Sequence, residues 1–258
     1  MDITEYNRMS WNNQVDSGDQ WTQPVDSATI AQARADKWHI VLTPTRPVPR
    51  NWFPPNLKDK KVLCLASGGG QQGPILAAAG AKVTVLDNSD KQLDQDRFVA
   101  KREQLDIETI KGSMTNLSML ADETFDIIIH PVSNVFIDNV LPVWKEAYRV
   151  LKTGGSLLAG FTNPILFLFA EEAVEKGPLE VKYPIPYSDL KHLPSEKLAE
   201  LQQKKEPLAF GHTLEDQIKG QLDAGFVLSG FYEDQSGYDS QLDSYISVYI
   251  ATQARKLG

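Results

Sequence analysis

The residues best placed for chemistry lie between Val62 and Gly73, which read Val-Leu-Cys-Leu-Ala-Ser-Gly-Gly-Gly-Gln-Gln-Gly. An apolar run breaks into Gly68, Gly69 and Gly70, and a helix-forming Ile-Leu-Ala-Ala-Ala segment follows Pro74. Glycines at such a junction let backbone approach a ligand, and a helix start beyond them presents unpaired N–H groups. A second apolar run, Val83-Thr-Val-Leu, ends in Asp87, fourteen residues after Gly73. A carboxylate at that strand end is placed to grip a ribose. Glycine turn and strand-end acid together predict a nucleotide-type cofactor site. Gly68, Gly70 and Gly73 also spell a literal G-x-G-x-x-G, with Asp87 nineteen residues after Gly68, so a nicotinamide cofactor competes at this point.

The elements that must hold these residues follow from the pattern after Lys60. Strands are expected at 61–66, 82–87, 106–110, 125–130 and 155–161, and helices at 72–79, 89–104, 138–151 and 214–224. Strand-helix alternation with apolar strands predicts a parallel sheet covered on both faces. The last two strand-like runs, 226–233 and 244–252, are joined by Gly237-Tyr-Asp-Ser, too short for a parallel crossover, so they should pair antiparallel. The expected fold is α/β: a Rossmann-like, doubly wound, mostly parallel seven-stranded sheet with a terminal antiparallel hairpin. One domain of 258 residues is expected. It divides into an N-terminal capping arm (1–57), a cofactor-binding core (58–162), an insertion or lid (163–212) and a closing helix and hairpin (213–258).

The arm carries four of the five tryptophans, Trp11, Trp21, Trp38 and Trp52. A helix is expected from about Thr29 to Trp38 after Ser27, and the Pro44, Pro47, Pro49, Pro54, Pro55 series then favours extended chain. The insertion holds six prolines and one expected helix at 195–205. A formal charge of −8 argues against nonspecific nucleic-acid binding, which depends on Lys and Arg. Cys64 is the only cysteine, which suits a reducing, cytoplasmic setting. The polar start lacks a signal-peptide layout, and the most apolar stretch, Pro164 to Ala170, is too short to span a bilayer, so no membrane role is expected. The four histidines, His39, His130, His192 and His212, show no metal-ligand spacing, and no metal is expected.

Five segments in order resemble the class I S-adenosylmethionine-dependent methyltransferases that act on small molecules, methyltransferase type 11-like. Val62-Leu-Cys-Leu-Ala-Ser-Gly-Gly-Gly stands where that family writes Val-Leu-Asp-Leu-Gly-Cys-Gly-Thr-Gly. Val83-Thr-Val-Leu-Asp-Asn-Ser is similar to its second motif, and Gly112-Ser-Met-Thr-Asn-Leu to its Gly-Asp-Ala/Met-x-x-Leu. Phe125-Asp-Ile-Ile-Ile-His resembles the fourth strand, and Arg149-Val-Leu-Lys-Thr-Gly-Gly the turn after the following helix. The resemblance covers about residues 60–160 well. It departs at Cys64, which replaces the first-motif acid, and at Ser113, which replaces the Asp that accepts from the adenine amino group.

The resemblance implies S-adenosyl-L-methionine as cofactor. Asp87 would then accept from both ribose hydroxyls, and Ala66, Ser67, Gly68, Gly69, Gly70 and Gln72 would meet the amino-acid end. Gly112, Ser113 and Met114 would meet the adenine, with Asn88 and Gln92 flanking ribose and adenine or standing as ordinary surface residues. His130 ends strand four, where ligands of open parallel sheets collect, as a candidate base or a residue packed on the cofactor. His212 is a second candidate base. Trp11, Trp21, Arg46, Arg50, Ser133, Asn163 and Tyr187 are candidate substrate linings from arm, strand end and insertion, or else packing residues of a cap.

Methyl transfer chiefly needs donor and acceptor aligned and water excluded. The partner implied is a small-molecule methyl acceptor. His130-Pro131-Val132-Ser133 lacks the Asn/Asp-Pro-Pro-Tyr/Phe of amino-directed nucleic-acid methylation. RNA or protein acceptors, a non-catalytic cofactor binder on the same scaffold, and a nicotinamide oxidoreductase are the competing readings.

Overall fold

Five runs become parallel strands, four of them apolar because their side chains are buried on both sides of a sheet, and the fifth, the edge strand Ile107–Lys111, with none of its residues buried. In the computed structural model, which describes residues 1–258 apart from the side chains of Glu171 and Lys176, these are β1 Lys61–Leu65, β2 Lys82–Asp87, β3 Ile107–Lys111, β4 Phe125–His130 and β5 Leu151–Thr162. Two-residue strands β6 Tyr187–Ser188 and β7 Phe210–Gly211 pair within the insertion. The chain closes with β8 Phe226–Asp234 and β9 Tyr249–Lys256. The main sheet runs β3-β2-β1-β4-β5-β9-β8, and β9 alone opposes its neighbours, with Thr162 beside Tyr249 and Val227 beside Arg255. The expected antiparallel closing pair is present. Its second strand starts at Tyr249 rather than at 244, because the connection is lengthened by a 3-10 turn at Gln241–Ser244 and an irregular stretch through Val248.

Alternate residues of the strands feed two core layers. Val62, Cys64, Val83, Val85, Ile127 and Ile129 face one layer, and Leu63, Leu65, Leu86 and Ile128 the other. The first is covered by α2 (Ser27–Arg34), α3 (Gln72–Ala78) and the extended arm, through Ala33, Trp38, Leu42 and Leu76. The second is covered by α5 (Leu141–Val150), whose Val143, Trp144, Ala147 and Val150 stripe is buried. The expected helix at 214–224 is one π-helical turn, Glu215–Lys219, and then a short α-helix, Gly220–Asp223. There the Trp144 indole donates to the Asp216 carbonyl at 2.9 Å.

The arm differs most from expectation. It opens with a fifteen-residue helix, α1 (Ile3–Ser17), capped by the Asp2 side chain and ended by Gly18 in the left-handed region. Its buried residues are Asn7 and Ser10, so no apolar stripe marks it in the sequence. Asn7 donates to the Phe136 and Leu208 carbonyls at 2.7 and 3.0 Å and accepts from the Leu208 amide at 2.8 Å. Helix α2 stops at Arg34 rather than Trp38, because Asp36 takes φ +58° and turns Trp38 into the core. The proline-rich stretch then crosses β5 so closely that a Cβ on Gly160 would lie 2.2 Å from the Leu42 carbonyl oxygen.

Candidate cofactor and acceptor site

The strand order reverses between β1 and β4, and open α/β sheets collect ligands outside the carboxyl ends of the strands at such a point. A cavity of about 380 Å³ lies there. Ala66, Ser67 and Gly68 of the turn Ala66–Gly70 line it, and α4 (Asp90–Glu103), capped by Ser89, stands behind the turn.

Each glycine amide of the turn is held from behind. Gly68 N–H donates to Asp87 Oδ2 at 2.9 Å, Gly69 N–H to the Gln92 carbonyl at 3.0 Å, and Gly70 N–H to Asp96 Oδ2 at 3.2 Å. These donors therefore hold the turn's shape. Gly69 and Gly70 adopt φ of +104° and +70°, and a Cβ on Gly68 would sit 2.7 Å from Gln92 Cβ. Close packing of the turn on α4, as well as approach to a ligand, demands glycine here.

Asp87 uses one oxygen on Gly68 N–H and the other on Ser89 N–H, 2.9 Å each, and lines the cavity. Each carboxylate oxygen keeps a free lone pair for a ligand hydroxyl. Burial pushes its carboxyl above the usual range, against the pull of those two amides. Asp96, fully buried on α4, is pushed up to about 8, chiefly by burial and further by the charge of Asp87, while the Gly70 amide opposes the rise.

Three polar atoms beside the turn are buried without a hydrogen bond, Ser67 Oγ, Gln92 Oε1 and Asp96 Oδ1, the first two on residues lining the cavity. Buried polar atoms are rarely left so unless a ligand or water completes them. A hydroxyl, a carboxamide oxygen and a partly engaged carboxylate fit the amine, hydroxyls and polar base edge of S-adenosylmethionine.

Of the residues singled out in the sequence, Ala66, Ser67, Gly68, Gln72, Asp87, Asn88, Gln92, Ser113, Met114, Ser133, Trp11 and Trp21 come together around the cavity. Ser113 is partly engaged, bonding Thr115 Oγ1 at 2.8 Å and accepting from the Thr115 amide. Gly69, Gly70 and Gly112 support the lining from outside it.

His130 is fully buried and does not line the cavity. Its Nδ1 meets the Leu65 carbonyl at 3.0 Å and its Nε2 meets Asn134 Oδ1 at 2.7 Å. His212 donates from Nε2 to the Asn134 carbonyl. Burial lowers the pKa of both rings and favours the neutral form. Arg46 lies over the Tyr232 ring, Arg50 over Trp38, Asn163 bonds the Ser247 carbonyl, and Tyr187 donates to Asp189; these four also stand away from the cavity.

Several lining residues carried no expectation: Thr4, Asn7 and Arg8 of α1, Ser89, Val41–Pro44, Phe136, Phe167, Thr162 and Tyr249. Asp96 was also missed. Its signal was present, since it stands on the α4 face that buries Gln92, Leu93 and Val99. Helix α1 is tied over α4 by Asn88 donating to the Thr4 carbonyl, Ser89 donating to Asn12 Oδ1, and Arg8 bonding Asp90 at 3.0 Å.

Comparison with known proteins agrees with this geometry. The family model described as a methyltransferase domain matches residues 63–159. The chain is 56% identical over 255 residues to "Uncharacterized methyltransferase YbaJ" of Bacillus subtilis strain 168, covering 99% of both chains. An S-adenosylmethionine-dependent methyltransferase from Mesorhizobium loti superposes with a TM-score of 0.59 at 17% identity, over 80% of this chain and 94% of that one. A Burkholderia thailandensis 1,6-didemethyltoxoflavin-N1-methyltransferase, solved with that compound and S-adenosylhomocysteine, matches 98% of this chain and 88% of its own (TM-score 0.59, 13% identity). With its glycine turn, strand-end acid and reversed last strand, the chain belongs to the class I S-adenosylmethionine-dependent methyltransferases.

Proposed function

We propose that the protein methylates a small molecule held in the same cavity as the cofactor. The observation that carries this is one continuous lining that runs from Asp87 and Gln92 at the cofactor end to Thr162 and Tyr249 beyond β4 and β5. Its volume of about 380 Å³ is near the lower end of the roughly 300–1,000 Å³ spanned by small-molecule sites. The cofactor takes part of that space, which favours a compact acceptor over a macromolecular one. The Burkholderia fold neighbour, solved with 1,6-didemethyltoxoflavin bound beside S-adenosylhomocysteine, supports the same reading.

Asp87 would hold the ribose, with Ser67, Gln72 and Gln92 beside it and Met114 against the adenine. When bound, S-adenosylmethionine supplies a methyl group on a sulfonium, which passes to the acceptor by in-line displacement. The chain's own contribution is alignment and the exclusion of water by α1, Trp21 and the 41–44 segment. His130 and His212, off the lining and hydrogen-bonded to backbone, do not serve as bases in this account.

The test is to supply S-adenosylmethionine labelled in its methyl group together with fractionated cell extract. Label should appear in the low-molecular-mass fraction. Label confined to RNA or protein would overturn the reading.

A further inference from the structure

The two ends of the cavity differ in charge. Among the described residues lining it, the only charged side chains are Arg8, which bonds Asp90 at the start of α4, and Asp87, which bonds the glycine turn. Arg8 is already bridged to Glu5 and Asp90. Beyond the carboxyl ends of β4 and β5 the walls are Trp11, Val132, Phe136, Ile137, Leu166 and Phe167, with the Trp11 and Phe136 rings edge to face at 4.9 Å.

The polar groups at this end are mostly committed. Asn7 is spent on Phe136 and Leu208, Ser133 donates to the Pro131 carbonyl at 3.0 Å, and Thr43 reaches Tyr232. Two hydroxyls remain, on Thr162 and Tyr249, which are cross-strand partners of β5 and β9. Among the described residues neither makes a side-chain hydrogen bond within the chain. The Tyr249 phenol, like any tyrosine, is uncharged at neutral pH and able to donate, and burial, with the nearby Tyr238, Asp243 and Asp234, pushes it further up to about 12.

We infer that the acceptor end is built for an uncharged, largely apolar ring system that presents one hydrogen-bonding group to Thr162 and Tyr249. This rests on the proposed small-molecule reading. The physical ground is the cost of burying charge: an ionised acceptor entering here loses its water, and among the described residues the lining beside Thr162 and Tyr249 holds no charged side chain to pair with it. An aromatic body gains contact with the Trp11, Phe136 and Phe167 rings instead.

The inference is tested by binding alone, in protein saturated with S-adenosylhomocysteine. Three probes of one shape are titrated: 1-naphthol, 1-naphthoate and the 1-naphthylmethylammonium ion. Naphthol should bind at least tenfold more tightly than either ion. Tyr249→Phe combined with Thr162→Val should weaken naphthol severalfold while leaving S-adenosylhomocysteine affinity within twofold. Equal or tighter binding of either ion would overturn the inference, as would failure of all three probes on protein that does bind S-adenosylhomocysteine. Failure to bind S-adenosylhomocysteine at all would instead sink the underlying reading.

Discussion

Gly70 donates its amide to the fully buried carboxyl of Asp96 at 3.2 Å, so an acid on α4 braces the glycine turn from behind. The thiol of Cys64, on the neighbouring strand, is pushed up by burial and by the charge of this same Asp96. β1 itself carries no acid, only the buried Cys64, and the carboxyl that braces the turn comes from α4.

The pH dependence of stability follows from that carboxyl. Asp96 holds its proton up to about pH 8 in the folded chain, whereas an unfolded Asp releases it near pH 4. The native state therefore binds more protons between these values, and stability falls as pH rises through that window. Asp96→Asn keeps an acceptor for Gly70 and has no charge to lose. Its melting temperature should decline less than that of the wild type from pH 5 to 8. Asp96→Ala leaves the Gly70 amide unpaired and should cost about 1–3 kcal/mol. Parallel melting curves across pH for wild type and Asp96→Asn would contradict this.

Ala66 opens the same turn at φ +46°, in the left-handed region that costs an L-residue roughly 1–2 kcal/mol. Ala66→Gly relieves that strain, offset in part by the greater freedom of glycine in the unfolded chain. A net gain of about 0.5–1 kcal/mol is expected, read as a melting point about 1–4 °C higher. A lower melting point would mean that the methyl group packs usefully enough to outweigh the strain.

The parts of the fold that were legible in the sequence are those where burial imposes a period. Val62 to Leu65 and Ile127 to Ile129 are apolar without alternation because both faces of the sheet are covered, and their strands lie where that pattern places them. Asp87 and the three glycines were legible because a turn and a strand end demand particular residue types. Helix α1 was not, because its inner face is Asn7 and Ser10, held by hydrogen bonds rather than by an apolar stripe. The acceptor end was not legible either. Thr162, Phe167 and Tyr249 are ordinary residues brought together only by the reversed β9 and the insertion. His130 drew notice as a titratable group at a strand end, yet its ring nitrogens are spent on Leu65 and Asn134.

Asn7→Ala tests whether α1 closes the site. Three hydrogen bonds to Leu208 and Phe136 disappear, leaving buried backbone groups unpaired at a cost of roughly 2–3 kcal/mol. Limited proteolysis should then cut within the first 25 or so residues while the sheet core stays intact, and S-adenosylhomocysteine should bind more weakly. An arm that resists protease as well as in the wild type would show that its ties to α4 hold it without Asn7.

The most direct test is calorimetric titration of S-adenosylhomocysteine into wild type, Asp87→Asn and Asp87→Ala, each checked for an unchanged fold by circular dichroism. Charge-assisted hydrogen bonds that a carboxylate accepts from ligand hydroxyls are worth about 1.5–3 kcal/mol, so both variants should bind roughly ten- to a hundredfold more weakly than the wild type. Wild-type protein that fails to bind, or variants that bind as tightly as it does, would contradict the placement of the cofactor on Asp87 and the glycine turn.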